Sequence, residues 1–136
     1  MPQDTHDIYP EGTFVHSLLA LFSAIFAETD PQYHKYLLDK SLPIVDHWGG
    51  VMKEAYLGHN LYHKLRSASV YAAHQANYRY AFGWTSNFKS AKTLRKLGYQ
   101  EIAEYDVKLY EQAGKKIYSN IQEEQRISRF WFKKFG

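Results

Sequence analysis

The chain has 136 residues, of which 45% are hydrophobic and 23% charged, enough for one domain with a modest core. It contains no cysteine, which excludes disulfides, thiolate metal sites and cysteine nucleophiles and argues against a small secreted domain. The net charge of +3 conceals an asymmetry: residues 1–50 carry two lysines against seven acids, and the remainder carries fifteen bases against seven.

Taken in chain order, residues 1–12, "MPQDTHDIYPEG", form a polar, acidic arm that matches neither a signal peptide nor an Arg-rich transit peptide. The stretch from about Thr13 to Glu28 places apolar residues at 15, 18, 19, 22, 25 and 26, the spacing of a helix, with Thr13 as its N-cap. Its apolar run is shorter than the ~20 residues a membrane span needs, so it predicts a core helix. Asp30 and Pro31 then suit the N-cap and first position of a short helix ending near Lys40. "SLPIVDHWGG" reads as a turn, a brief helical piece and a break.

From Val51 to Phe82 the pattern remains helix-compatible, predicting one long central helix of roughly 45 Å at about 1.5 Å per residue. Gly58 would mark a kink or close approach in it and Gly83 its stop. One side of this helix gathers Gly58, Leu61, Leu65, Ala68, Ser69, Ala72, Ala73 and Ala76, small enough for another helix to approach closely. "TSNFKSAKTLRKLG" opens on capping residues and closes on a glycine, a helix of about three turns with Gly98 at C′. A last helix is expected from about Gln100 past Arg126, on a stripe of Ile102, Tyr105, Leu109, Ala113, Ile117 and Ile121. The expected fold is all-α, a single-domain bundle of four to five helices around one long central helix, with a C-terminal helix or arm.

Three histidines fall in "HNLYHKLRSASVYAAHQ". His59 and His63 lie one helical turn apart, whereas His74 is about 16 Å further along the axis, too far to share an ion. A metal site at His59 and His63 would need ligands from elsewhere, such as Asp46, His47, Glu54 or His34. The plainer reading makes these histidines half-buried hydrogen-bonders. No nucleophile motif, phosphate-cradling loop or acid–base pair is evident, so no enzyme activity and no cofactor are expected.

Charge is the strongest signal. Between Glu54 and Glu101 there is no acid, while Lys64, Arg66, Arg79, Lys89, Lys92, Arg95 and Lys96 alternate with aromatics that include Tyr80, Trp84 and Phe88. The C-terminal segment, residues 126–136, repeats the pattern: Arg126, Arg129, Lys133 and Lys134 surround Phe130, Trp131, Phe132 and Phe135. Such a segment, left free, would be an exposed apolar patch, so it should dock. Arg79, Tyr80, Trp84, Phe88, Lys89, Lys92, Arg95, Lys96 and the 126–135 residues are the expected partner-binding set.

The function expected on this reading is a non-catalytic structural or accessory subunit of a larger complex, with an organellar membrane-associated complex as one setting that fits. Its partners would be other protein subunits in a hetero-oligomer, with anionic lipid as a further surface. A nucleic-acid-binding helical module using the basic aromatic surface is the second reading, and a His-based metal bundle the third. The location would be intracellular, mitochondrial or cytoplasmic, without a membrane span.

Overall fold

The computed structural model describes residues 14–38, 44–47, 55, 58 and 60–135. Helix α1 spans Phe14–Ala27, and after a 3₁₀ turn at Pro31–Tyr33 the short helix α2 spans His34–Leu38. Strand β1 (Ile44–His47) precedes α3 (Leu61–Gln75), which leads to β2 (Tyr80–Thr85), α4 (Phe88–Lys96) and β3 (Gln100–Asp106). Strand β4 (Ile127–Lys134) closes the series. The sheet order is β1-β2-β4-β3. β1 runs parallel to β2, while β4 is antiparallel to both β2 and β3.

The all-α expectation is thus overturned: the fold is mixed α/β. The first helix and the helix after Asn87 stand as read from the sequence, with Asp30 capping by accepting from the Gln32 amide at 3.1 Å. The long central helix does not exist. Within that stretch the helix is α3, which ends at Gln75, where Asn77 adopts φ 66° and the Tyr78 amide returns to the Ala73 carbonyl. This is a Schellman stop with asparagine at C′. α4 ends the same way, on Gly98 at φ 86° with the Tyr99 amide donating to the Leu94 carbonyl. "IVDH" is a strand rather than a helical piece, and the last helix is replaced by β3, a looping connection and β4.

The strands escaped notice because the central ones are buried on both faces and so lack polar alternation. Their alternation is between two apolar layers. Phe82, Phe130 and Phe132 face α1, packing with Leu21, Phe22, Ile25 and Phe26. Ala81 and Trp131 face α3 and α4, packing with Ala73, Ala91, Leu94, Tyr99 and Phe135. Rings dominate the first layer: Phe22 meets Trp84 at 5.5 Å and Phe130 at 4.6 Å between centroids. In the second layer small residues let helices sit close. A Cβ on Gly83 would lie 3.0 Å from Leu94 Cδ1, so α4 rests directly on the β2 backbone.

Both crossovers, β1–α3–β2 and β2–α4–β3, place their helix on the same face, as a constant hand of connection requires. The small-residue side of α3 does not make a tight helix seam: Leu65, Ala68, Ala72 and Ala76 are exposed and Ala73 is buried. The connection after β3 is pinned by charges. Arg126 sits between Asp106 at 3.7 Å and Glu123 at 3.1 Å, and Lys108 reaches Glu123 at 3.3 Å. Among the described residues no helix is long and apolar enough to cross a membrane.

Candidate functional site

The parallel unit β1–α3–β2 sets the geometry. In such units the strand ends carrying the carboxyl termini meet the amino terminus of the crossover helix, and ligands bind there. Here the register stops at His47 opposite Gly83. The last two residues of β2, Trp84 and Thr85, therefore have no strand partner on the β1 side among the described residues, although β4 pairs them on the other.

The start of α3 is unusual. Asn60 stands at the N-cap with φ 59°, and its side chain accepts none of the first-turn amides. Gly58, two residues earlier, has φ 82°, and a Cβ there would meet nothing within 4 Å. The first turn holds no acid. The first-turn N–H groups, unpaired among the described residues, and the positive end of the helix dipole thus remain available to an anion. Lys64 is exposed just beyond that turn, and Arg66 donates from Nε to the Tyr62 hydroxyl at 3.1 Å.

Beneath α3 and α4, Tyr99 is 5% exposed and its hydroxyl has no hydrogen-bond partner among the described residues. Burial pushes its pKa up to about 12, opposed by the positive charge of Arg66 and reinforced by Tyr62. Nearby, the Trp131 indole N–H donates to the Thr85 hydroxyl at 2.8 Å, both groups being buried, which ties β4 to the end of β2.

The expected partner-binding residues separate into two groups. Phe88, Lys89, Lys92, Arg95 and Lys96 lie exposed on α4, and Phe88, Lys92, Arg95, Lys96 and Arg129 line one groove of about 540 Å³. The C-terminal aromatics are the other group, and their expected role as a docking arm is corrected. Phe130 and Trp131 are wholly buried, Phe132 and Phe135 nearly so, because the segment is a central strand of the sheet. Tyr80 and Trp84 pack half-buried against the α1 layer. Arg126 is held in its ion pairs, Lys133 lies over the Phe135 ring at 6.0 Å, and Arg79 and Lys134 are exposed.

Of the metal candidates, His59 lies outside the described residues and His63 sits half-buried in the first turn of α3. No group of three potential ligands comes together among the described residues. His34 instead stacks on Phe26 at 4.6 Å, and His74 on Phe135 at 5.5 Å. Sequence reasoning missed the α3 start because Gly58 was taken as interior to a helix; the triplet Gly58-His59-Asn60, with two residues tolerant of positive φ, was the available signal.

No family model and no curated protein match the chain. Solved structures do. An arylalkylamine N-acetyltransferase 2 from Aedes aegypti superposes with a TM-score of 0.77 at 14% identity, over 96% of this chain and 58% of that one. An agmatine N-acetyltransferase in its apo form gives 0.76 at 17%, over 98% and 65%. A mosquito arylalkylamine N-acetyltransferase-like protein gives 0.75 at 18%, over 96% and 59%. The chain therefore spans about three-fifths of the length of these neighbours. Proteins named as acetyltransferases share this fold over nearly the whole of the chain, so the expectations of an all-helical bundle and of a non-catalytic structural subunit are withdrawn, and the chain has the fold of these N-acetyltransferases.

Proposed function

We propose that the chain is the donor-binding part of an acyltransferase that moves an acetyl group from acetyl-coenzyme A to an amine. The observation that carries this is the start of α3, where uncapped first-turn amides and an acid-free turn stand at the carboxyl end of a parallel strand pair. That donor set fits a diphosphate: the amides offer hydrogen bonds, the helix dipole favours negative charge, and Gly58 leaves room for close approach. The amides of Leu61, Tyr62 and His63 would hold the diphosphate, with Lys64 adding charge.

When bound, the coenzyme supplies an acetyl group activated as a thioester. The backbone of Trp84 and Thr85, without a strand partner toward β1 among the described residues, offers the peptide-like arm of such a donor the hydrogen bonds an added strand would make. Thr85 is fixed for this by the Trp131 N–H. The longer fold neighbours are N-acetyltransferases of aryl-alkylamines and agmatine, and an amine acceptor is carried from them to this proposal.

Calorimetry with acetyl-coenzyme A and the variant His63→Glu tests it. A glutamate in the first turn favours the helix through the dipole while repelling a diphosphate. The expected result is saturable binding by the unaltered chain and about a tenfold or greater loss in the variant, on the scale of 1.4 kcal/mol per decade, with the melting temperature unchanged or raised. Equal affinity of the two proteins, or no binding by either, overturns the reading.

A further inference from the structure

A second feature stands apart from the α3 start. On the sheet face that carries α3 and α4, a groove of about 540 Å³ runs beside α4, lined by Phe88, Ala91, Lys92, Arg95, Lys96 and Arg129. Four of these six residues are cationic. Lys92 and Lys96 are exposed and make no ion pair among the described residues. Arg95 lies over the Trp131 ring at 5.3 Å and 3.7 Å from Glu101, and the Arg129 Nε lies 2.8 Å from the same carboxylate. One glutamate thus organises two arginines and leaves a surplus of positive charge. Phe88, 61% exposed, supplies an apolar wall at the head of the groove.

We propose that this groove docks a short acidic peptide segment of a partner protein, with one apolar residue seated against Phe88. The charge pattern chooses the occupant. Beyond Phe88 the surface continues into a smaller depression of about 150 Å³ where Lys89 lies with Glu124 and Gln125, and Glu104 lies 4.0 Å from Arg129 on another side. Acids therefore bracket the cations. A nucleic acid, anionic at every step, would run onto them, whereas a peptide changes from acidic to neutral within a residue. Length agrees: α4 has nine residues, about 13 Å at 1.5 Å per residue, which roughly four extended residues span. Arg95, exposed and lying over the Trp131 ring, is of the side-chain type most used as an interface anchor.

The test uses the whole chain and a fluorescein-labelled octapeptide holding three consecutive glutamates followed by leucine, read by anisotropy. Saturable binding is expected. The double variant Lys92→Glu/Lys96→Glu should weaken it about tenfold or more, and Phe88→Ala by a smaller factor. All three positions are exposed, so the circular dichroism and melting curves should be unchanged. Absence of saturable binding overturns the proposal, as does binding that the double variant leaves intact. Tighter binding of a single-stranded RNA octamer would assign the surface to nucleic acid, and displacement of the peptide by acetyl-coenzyme A would assign it to the donor; either result also overturns the proposal.

Discussion

The two crossover helices begin on the same residue type and do different things with it. Asn87 adopts an extended backbone and accepts the Ser90 amide at 2.9 Å, closing the start of α4 from within. Asn60 adopts a left-handed backbone; its carbonyl accepts the Lys64 amide at 3.2 Å, but its side chain accepts no first-turn amide, which leaves the start of α3 open. The contrast continues along the helices. α4 buries Ala91 and Leu94 in nine residues, while α3 buries Ala73 in fifteen. A helix that satisfies its own ends and fills the core serves stability; one that leaves its donors unpaired at a strand end is arranged for a ligand.

The sharpest way to break that contrast is to truncate one leucine on each helix. Leu94→Ala should cost about 2–5 kcal/mol in urea unfolding, since Leu94 is 2% exposed and lies under the Gly83 backbone. Leu65→Ala, at a position 59% exposed, should change stability by less than about 0.5 kcal/mol. A comparable loss at both sites would make α3 as structural as α4.

The next effect concerns Tyr99, which lies between the two helices and the sheet. Its folded pKa of about 12 stands above the ordinary value of 10.0. Its contribution is therefore complete below pH 10 and is lost as pH rises toward 12, because the unfolded chain releases the proton first. The shift corresponds to about 2–3 kcal/mol at 1.36 kcal/mol per unit. Tyr99→Phe should remove this part of the alkaline unfolding while leaving neutral stability unchanged or slightly higher, since the lost hydroxyl had no partner. Denaturant titrations at pH 8 and pH 11 would show it, and parallel pH dependence of the two proteins would refute it.

The smallest difference is the caps themselves. Asn87→Ala removes a cap and should cost about 1 kcal/mol. Asn60→Gly removes no cap and relieves a left-handed backbone, so it should be neutral or stabilising by a few tenths. Melting curves of both variants decide the matter, and an equal loss would mean that Asn60 stabilises its helix after all.

How much of this was legible in the sequence follows from what each element faces. α1, the Asp30–Pro31 start and α4 were legible because their signals are local: an apolar stripe, a cap, a glycine at C′. β2 and β4 were not, because "YAFGWT" and "RFWF" place apolar residues on both faces and show no polar alternation. The Asn77 stop was overridden by helical spacing that ran on past it, although asparagine is a known C′ residue. The basic cluster from Lys89 to Lys96 was legible as charge, and three of its four cations, Lys92, Arg95 and Lys96, line one groove with Arg129. The α3 start was not, because its importance comes from β1 beside it, and the strand itself had been missed.

The order of strands has a consequence for how the chain comes into being. β4 is made after β2 and β3, yet it lies between them. As synthesis proceeds, β2 and β3 emerge with no neighbour on the sides they will later share, and Trp131 and Phe130, the largest of the fully buried side chains, have not yet been added. The sheet cannot zip up behind the ribosome. It must wait for its middle, and until then the newborn chain exposes two unsatisfied strand edges to whatever else is nearby.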